Sequence, residues 1–426
     1  MIIGSHVRFT KEQQQVIDLR NRNILVSAAA GSGKTAVLVE RIITRLTRDE
    51  KPLNVDELLI VTFTEAAASE MKERIHSAIE KALEEQADNV HLQRQATLIH
   101  QAQITTIHKF CLSVIRDYFH TIDLDPGFRV GEEGELKLLK RDVVEAVLES
   151  FYEEGDDAFI HFVESYATGR DDRKLEELIL QLYEFSRSYP NPKKWLDSCA
   201  EQYDVQSVEE LERRPFVLEI MHEVKQYLSD MKRFLEFGIT ICEEEDGPLM
   251  YRDALISDVA FVSKLQNAVG FGEMQKELVD VKWAKLAVCR DKQVSEKKIQ
   301  QVKDIRDEVK GLIKDLAKQY FFDDVHELQK EMALSQGNMQ TLTSLVKTFA
   351  DAFAEEKRRK NLIDFNDMEQ YALQILTREE DGVYVPSMVA ESYQEKFAEI
   401  MIDEYQDSNL VQEAILSSVS GVSKGV

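Results

Sequence analysis

Residues 27–35 read S-A-A-A-G-S-G-K-T, and the reading of this stretch decides the fold. It ends like the phosphate-binding pattern G-x-x-x-x-G-K-[ST], with Ala28 where the first glycine usually stands. The apolar run N-I-L-V-S-A (23–28) leads into it, and T-A-V-L-V-E-R-I-I-T-R-L (35–46) follows with helical spacing. Strand, glycine turn and helix are therefore predicted in that order, and this context gives the pattern a mechanism. The backbone amides of residues 29–35, those of Ala29, Ala30 and Ser32 among them, would converge on a phosphate at the positive end of the helix. Lys34 would reach the β- and γ-phosphates as a point charge, and the Thr35 hydroxyl would ligate Mg²⁺. Gly31 and Gly33 stand where a Cβ would obstruct the loop. Ala28 is tolerable because there the loop is only leaving the strand. The ligands expected are ATP and Mg²⁺.

Further along, D-E-L-L-I-V-T-F-T (56–64) is predicted as a second strand and residues 65–85 as a long helix. In that helix Ala67, Met71, Ile75 and Ala78 mark the expected buried stripe. A-Q-I-T-T-I-H-K-F (102–110) reads as a third strand turning into a helix, and E-K-F-A-E-I-M-I-D-E-Y-Q-D (395–407) as a buried strand closing on acidic residues. Between about 130 and 355 strands disappear and amphipathic helices follow one another, interrupted by the proline-punctuated turn S-Y-P-N-P-K-K-W-L (188–196). The expected fold class is α/β: a parallel sheet with helices on both faces, built from residues 1–129 and 356–426. Residues 130–355 are expected to form a large all-helical insertion.

Bulk properties narrow the function. A chain of 426 residues with 43% apolar content, 7 Pro and 17 Gly is globular, helix-rich and long enough for two or three domains. No apolar run approaches twenty residues, so no membrane span is expected. The first ten residues lack a signal peptide's basic flank and apolar core, and Cys111, Cys199, Cys242 and Cys289 are scattered, which suits a reducing cytoplasm. The net charge of −25 speaks against nucleic acid. However, residues 1–125 hold 15 Lys and Arg against 17 Asp and Glu, so nearly all the acidity lies further along. Charge alone neither proves nor excludes a DNA partner.

A phosphate loop needs a carboxylate partner, and I-M-I-D-E-Y-Q-D-S-N (400–409) offers one after an apolar strand. Asp403 would hold Mg²⁺ through water, while Glu404 would orient and deprotonate the attacking water. A helix cap is the plainer use of such a pair. Its combination with the loop, and with Gln406 and Asp407 following, favours the nucleotide site.

Together A-A-A-G-S-G-K-T (28–35), T-F-T-E-A-A-A-S-E-M-K-E-R-I (62–75), T-T-I-H-K-F-C (105–111), D-F-N-D-M (364–368) and I-D-E-Y-Q-D-S-N (402–409) resemble the superfamily 1 DNA helicases of the UvrD/Rep type. The helical block with Y-E-F-S-R-S-Y-P-N-P-K-K-W-L is similar, more narrowly, to the N-terminal part of the AddA component of the AddAB-type helicase–nucleases. The resemblance implies a RecA-like P-loop domain and a motor that unwinds DNA at the expense of ATP, stepping 3′ to 5′ in double-strand break processing and recombinational repair. R-F-T-K-E-Q-Q (8–14) is similar to the Q motif, whose Gln13 would read the adenine edge, and Gln406 would belong to the nucleotide site. Thr62, Phe63 and Thr64 would line a single-stranded DNA track, with Phe63 a face for base stacking or else plain core. Thr106 and His108 match a second DNA-contacting segment, although His108 can equally be structural. Asp364 and Asp367 are expected to cap the helix that follows them. The helical insertion would be the accessory domain 1B beside the duplex. The partners implied are single-stranded and duplex DNA and a second helicase–nuclease subunit in a heterodimer.

Departures from the pattern are informative. Ala36 stands where many relatives have an arginine packing on adenine, so base recognition would lean on Gln13. A second RecA-like domain, its arginines and a nuclease domain have no counterpart here, so the chain is expected to be an N-terminal fragment. An arginine across the cleft is worth about 10³–10⁵ in phosphoryl transfer. The chain alone is therefore expected to bind ATP·Mg²⁺ weakly and hydrolyse it slowly. Rival readings are a P-loop switch acting on protein partners without DNA, and a catalytically silent binding module.

Overall fold

The computed structural model describes residues 9–29, 31–167, 172–279, 281–291, 293–380 and 383–421. Its organising element is the strand Leu58–Thr62, L-L-I-V-T, in which every residue is buried. An unbroken apolar run of this kind suits a strand covered on both faces. Gln103–Thr106 pairs with it in parallel on one side and Glu399–Ile402 in parallel on the other. Because side chains alternate along a strand, its residues feed two cores. Leu58 and Ile60 join Ile42, Leu46, Met71, Ile75 and Ile79 from the helices Lys34–Thr47 and Glu65–Glu85. Leu59 and Val61 join Phe110, Val114, Leu373 and Ile415 from the helices Ile107–Tyr118, Phe365–Leu376 and Leu410–Ser418. This is the expected parallel sheet with helices on both faces.

Details differ from the sequence expectations for physical reasons. No strand forms over 23–29; Leu25 is 80% exposed and Val26 42%. A short apolar run stays extended in a sheet only where a neighbouring strand supplies a hydrogen-bond ladder, and none pairs with it among the described residues. The strand expected over 395–407 shrinks to Glu399–Ile402 and is only half-buried except at Met401, because it lies at the sheet's edge. The stripe of the Glu65–Glu85 helix runs through Ala68, Met71, Ile75 and Ile79, with Ala67 and Ala78 on its margin. The larger Ile79 buries more apolar surface than Ala78, so the helix turns that side inward.

Past the sheet, Arg129–Val130 pairs in parallel with Leu362–Ile363, and every described element between them is helical. Thr377–Glu380 and Val383–Pro386 form an antiparallel pair. The chain divides into two compact units, one of residues 1–155, 166–196 and 345–426, the other of 156–165 and 197–344. The second unit is built on the helices Pro215–Cys242, Arg252–Gln266 and Glu296–Tyr320, whose Leu228, Leu235, Leu255, Val262, Val302 and Val309 share one core. Gly238 permits the close approach, since a Cβ there would meet Leu255 at 2.7 Å. Among the described residues no helix is long and apolar enough to cross a membrane.

In the first unit, Glu399 at the start of the edge strand is gripped twice. Arg41 Nε donates to its Oε1 at 2.5 Å and Arg45 Nε to its Oε2 at 2.7 Å. Arg41 also donates to the Val16 carbonyl, and Arg45 and Arg20 both hold Asp49. Hydrogen bonding from Arg20, with Arg45 adding to it against the cost of burial, keeps the Asp49 carboxyl below the usual aspartate range. An acid with a depressed folded pKa adds stability above its unfolded pKa and loses that contribution as pH falls through the folded value. Removing one partner of such a largely buried cluster leaves charges without compensation. Glu399→Ala is accordingly expected to cost about 3 kcal/mol in urea unfolding. Glu40→Ala, which breaks a pair with the 63%-exposed Arg48 side chain, is expected to cost below about 1 kcal/mol. Equal costs would contradict the burial argument.

Candidate nucleotide and nucleic-acid site

The glycine loop is built as a turn into the helix Lys34–Thr47. Ser32 N donates to Ala29 O at 3.2 Å, and Gly31 and Gly33 take the left-handed conformation with φ of 76° and 85°. A side chain at either position would carry a strain of roughly 1–2 kcal/mol. Gly33 is the N-cap, and no side chain caps the helix. The first amides of a helix have no intrahelical acceptor, so this end presents donors and a partial positive charge. Lys34 lies back over the loop, its Nζ donating to Ala28 O at 2.9 Å, and Thr35 is exposed beside it. Ala30 lies outside the described residues. Gln13 reaches the loop from the preceding helix: its Nε2 donates to Ser32 O at 3.1 Å, while its Oε1 accepts from Thr10 N at 2.8 Å in a capping box.

Asp403 and Glu404 follow the edge strand, and Asp403 N donates to Val61 O at 2.9 Å, extending the ladder by one residue. Glu404 has φ 56° and ψ 47°, a strained conformation for a glutamate that turns the chain sharply at the strand's end. Gln406 Nε2 donates to the Glu404 carboxylate. Burial and the charge of Glu404 push the Asp403 carboxyl above its ordinary pKa, while a backbone hydrogen bond and the Lys34 ammonium draw it down. Lys34 and Asp403, remote in sequence, are thus close enough for one charge to act on the other. A triphosphate and a divalent cation fit this arrangement: free helix amides and a lysine on one side, an under-compensated acid on the other. Among the described residues no cluster of three His, Cys, Asp or Glu is arranged for a metal, so protein groups alone form no cage here.

The remaining expected residues line the same rim. Thr62 and Thr106 are register partners at the ends of adjacent parallel strands. Both are buried, and their hydroxyls serve turns: Thr62 Oγ1 donates to Thr64 O at 2.9 Å, and Thr106 Oγ1 accepts from Lys109 N at 3.4 Å as the cap of the next helix. Thr64 Oγ1 caps the helix Glu65–Glu85 through Ala67 N. Phe63 between them is 68% exposed, so the alternative that it belongs to the core is excluded. His108 sits in the first turn of its helix with Nε2 3.0 Å from Glu369 Oε1 and its ring edge-on to Phe365 at 5.2 Å. Asp364 and Asp367 do form a capping box, and their carboxylates also surround the buried Lys357, with Arg187 Nη2 3.1 Å from Asp367. Glu369, Lys357, Glu399 and the two arginines holding Glu399 were not anticipated from sequence, since their partners are distant in the chain.

Because an acid with a raised folded pKa penalises the fold once ionised, Asp403→Asn is expected to raise the melting temperature of the ligand-free chain modestly at pH 7. The gain should vanish as pH falls through the Asp403 pKa. Calorimetry across pH checks this, and a lower melting temperature at pH 7 would contradict it.

Comparison with known proteins follows the same lines. Residues 9–424 match the UvrD/REP helicase N-terminal domain. The chain is 47% identical to the A-subunit of an ATP-dependent helicase/nuclease from Lachnoclostridium phytofermentans, over 98% of this chain and 31% of that protein. It is 41% identical to the same-named protein of Geobacillus kaustophilus, over 97% of this chain and 34% of that protein. For the counterpart in Acetivibrio thermocellus the figures are 40%, 98% and 34%. The chain thus spans about a third of the length of these relatives. A parallel sheet whose strand ends carry a glycine loop, an Asp-Glu pair and an exposed aromatic fits this match, and the chain belongs to the UvrD/REP helicase N-terminal domain family, with the RecA-like P-loop fold which that membership implies.

Proposed function

We propose that this chain is the nucleotide- and strand-binding part of an ATP-dependent DNA helicase motor, of the kind found in the helicase/nuclease relatives. The observation that carries the reading is the convergence of three strand ends: Lys34 acts on Asp403, and Thr62 lies in register with Thr106. Parallel sheets place ligands at the carboxyl ends of their strands. In this reading the loop amides of residues 29–35 and Lys34 bind the phosphates, Thr35 and Asp403 hold Mg²⁺, and Glu404 orients the attacking water. Mg²⁺, when bound, neutralises charge that develops on the transferring phosphate. Glu404 is suited to its task because the turn aims it away from the strand while Gln406 holds its carboxylate. Gln13 would release Ser32 O to read an adenine edge. Phe63 stacks a base without regard to sequence, Thr64 and His108 flank it, and Thr62 and Thr106 hold the turns from beneath.

The biological setting follows from the relatives' names. Repair of broken DNA, 3′ to 5′ stepping, a cytoplasmic location and a heterodimeric partner are the finer parts of the proposal. So is the assignment of residues 130–355 to an accessory domain beside the duplex, between parts 1–129 and 356–426 of the motor domain.

Fluorescence titration tests the reading with a labelled ATP analogue and a labelled oligo-dT. Lys34→Ala is expected to weaken Mg²⁺-dependent nucleotide binding tenfold or more, on the order expected for a phosphate-binding lysine. Phe63→Ala is expected to lose roughly 1–3 kcal/mol of oligo-dT binding and leave nucleotide binding intact. Nucleotide binding with no oligonucleotide affinity would instead indicate a switch ATPase.

A further inference from the structure

Glu369 is a carboxylate to which the proposed function assigns no task. It lies on the helix Phe365–Leu376 with only 3% of its surface exposed, and three side chains converge on it. His108 Nε2 stands 3.0 Å from Oε1, Gln412 Nε2 donates to Oε1 at 2.7 Å, and Asn409 Nδ2 donates to Oε2 at 2.9 Å. Burial pushes the Glu369 carboxyl up, but the hydrogen bonds from His108, Asn409 and Gln412 outweigh it and leave its pKa below the usual glutamate value. An ionised carboxylate only accepts, so all three groups must donate, and His108 carries its proton on Nε2.

The donors come from two places of different significance. His108 belongs to the helix that follows the strand end Thr106, on the rim assigned to single-stranded DNA. Asn409 lies two residues past Asp407, on the segment that begins with Asp403 and Glu404, and caps the helix Leu410–Ser418 by accepting from Gln412 N at 2.8 Å. No direct hydrogen bond between these two segments is needed for them to communicate, because one buried group is bonded to both. Buried hydrogen-bond clusters are stiff: a shift of either segment strands a donor or an acceptor away from water.

We propose that Glu369 is a positioning residue that couples the two ligand sites, holding the His108 ring on the strand side through the same carboxylate that anchors Asn409 and Gln412 behind the Asp403–Glu404 turn. The inference rests on the function proposed above and deepens it. A nucleotide that draws the 403–409 segment toward the glycine loop pulls on Glu369 and thereby resets His108. By linkage, a strand that fixes His108 favours one position of the acidic turn in return.

Two variants test it on the whole 426-residue chain. Glu369→Gln keeps the shape but points an amide donor at a cluster of donors. Asn409→Ser keeps a cap for the following helix and removes only the nucleotide-side bond. The reading is the factor by which a non-hydrolysable ATP analogue with Mg²⁺ changes the Kd for labelled oligo-dT. In the wild type this factor is expected to be about fivefold or more, and in either variant to fall below about twofold. The Kd for oligo-dT without nucleotide should move little in Asn409→Ser, a separation that mere loss of structure would not give. Should Glu369→Gln fail to fold, Asn409→Ser decides alone. An undiminished factor in the variants, or a wild type that binds both ligands independently, overturns the coupling. A wild type that binds neither ligand overturns the functional reading first and this inference with it.

Discussion

The carboxylate of Glu399 is the constraint on which the site depends. It opens the edge strand of the sheet, and both its oxygens are taken by arginines from the helix that begins at the glycine loop. The helix and the strand are thereby locked to each other at the end remote from the ligands. Since Lys34 begins that helix and Asp403 ends that strand, a grip at one end sets the relation of the phosphate and metal groups at the other. An ion pair used this way serves geometry more than stability, since desolvating three charges offsets most of the attraction between them. Arg41 adds a bond to the Val16 carbonyl, which ties in the helix carrying Gln13.

The three strand ends then act as a single rim. Parallel pairing puts Thr62 beside Thr106 and Val61 beside Ile402, so groups from three remote stretches of chain are brought side by side. Each strand hands over at once to a turn or a helix: Thr64 and Thr106 cap theirs, and the left-handed Glu404 turns the third. Polar residues at these ends are fixed by hydrogen bonds to backbone, leaving Phe63 as the large apolar side chain facing solvent among them. The helix Phe365–Leu376 lies behind the rim and joins it from below through Glu369, while its capping aspartates close on Lys357 and Arg187.

Much of this was legible in the sequence where the cause is local. The glycine loop could be read because Gly31 and Gly33 meet a conformational need that few residues satisfy, and a lysine and threonine follow directly. The strand 58–62 and the helix 65–85 could be read from apolar runs and periodicity. Reading failed where tertiary context decides. Residues 23–28 look like a strand but find no ladder, the 399–402 strand is half-buried because it forms an edge, and the choice between Ala78 and Ile79 rests on packing. Glu369 and Glu399 were invisible because a lone glutamate in a helix or strand says nothing about donors that arrive from elsewhere in the chain.

The central claim is that Lys34 and Asp403 act on one magnesium-bound triphosphate. A double-mutant cycle on Mg²⁺-dependent nucleotide affinity, using Lys34→Ala, Asp403→Ala and the pair, tests it most directly. Groups sharing one ligand are expected to be coupled by roughly 0.5–3 kcal/mol, so that the double variant loses less than the two single losses together. Losses that simply add, within about 0.3 kcal/mol, would place the two residues at independent sites and contradict the account.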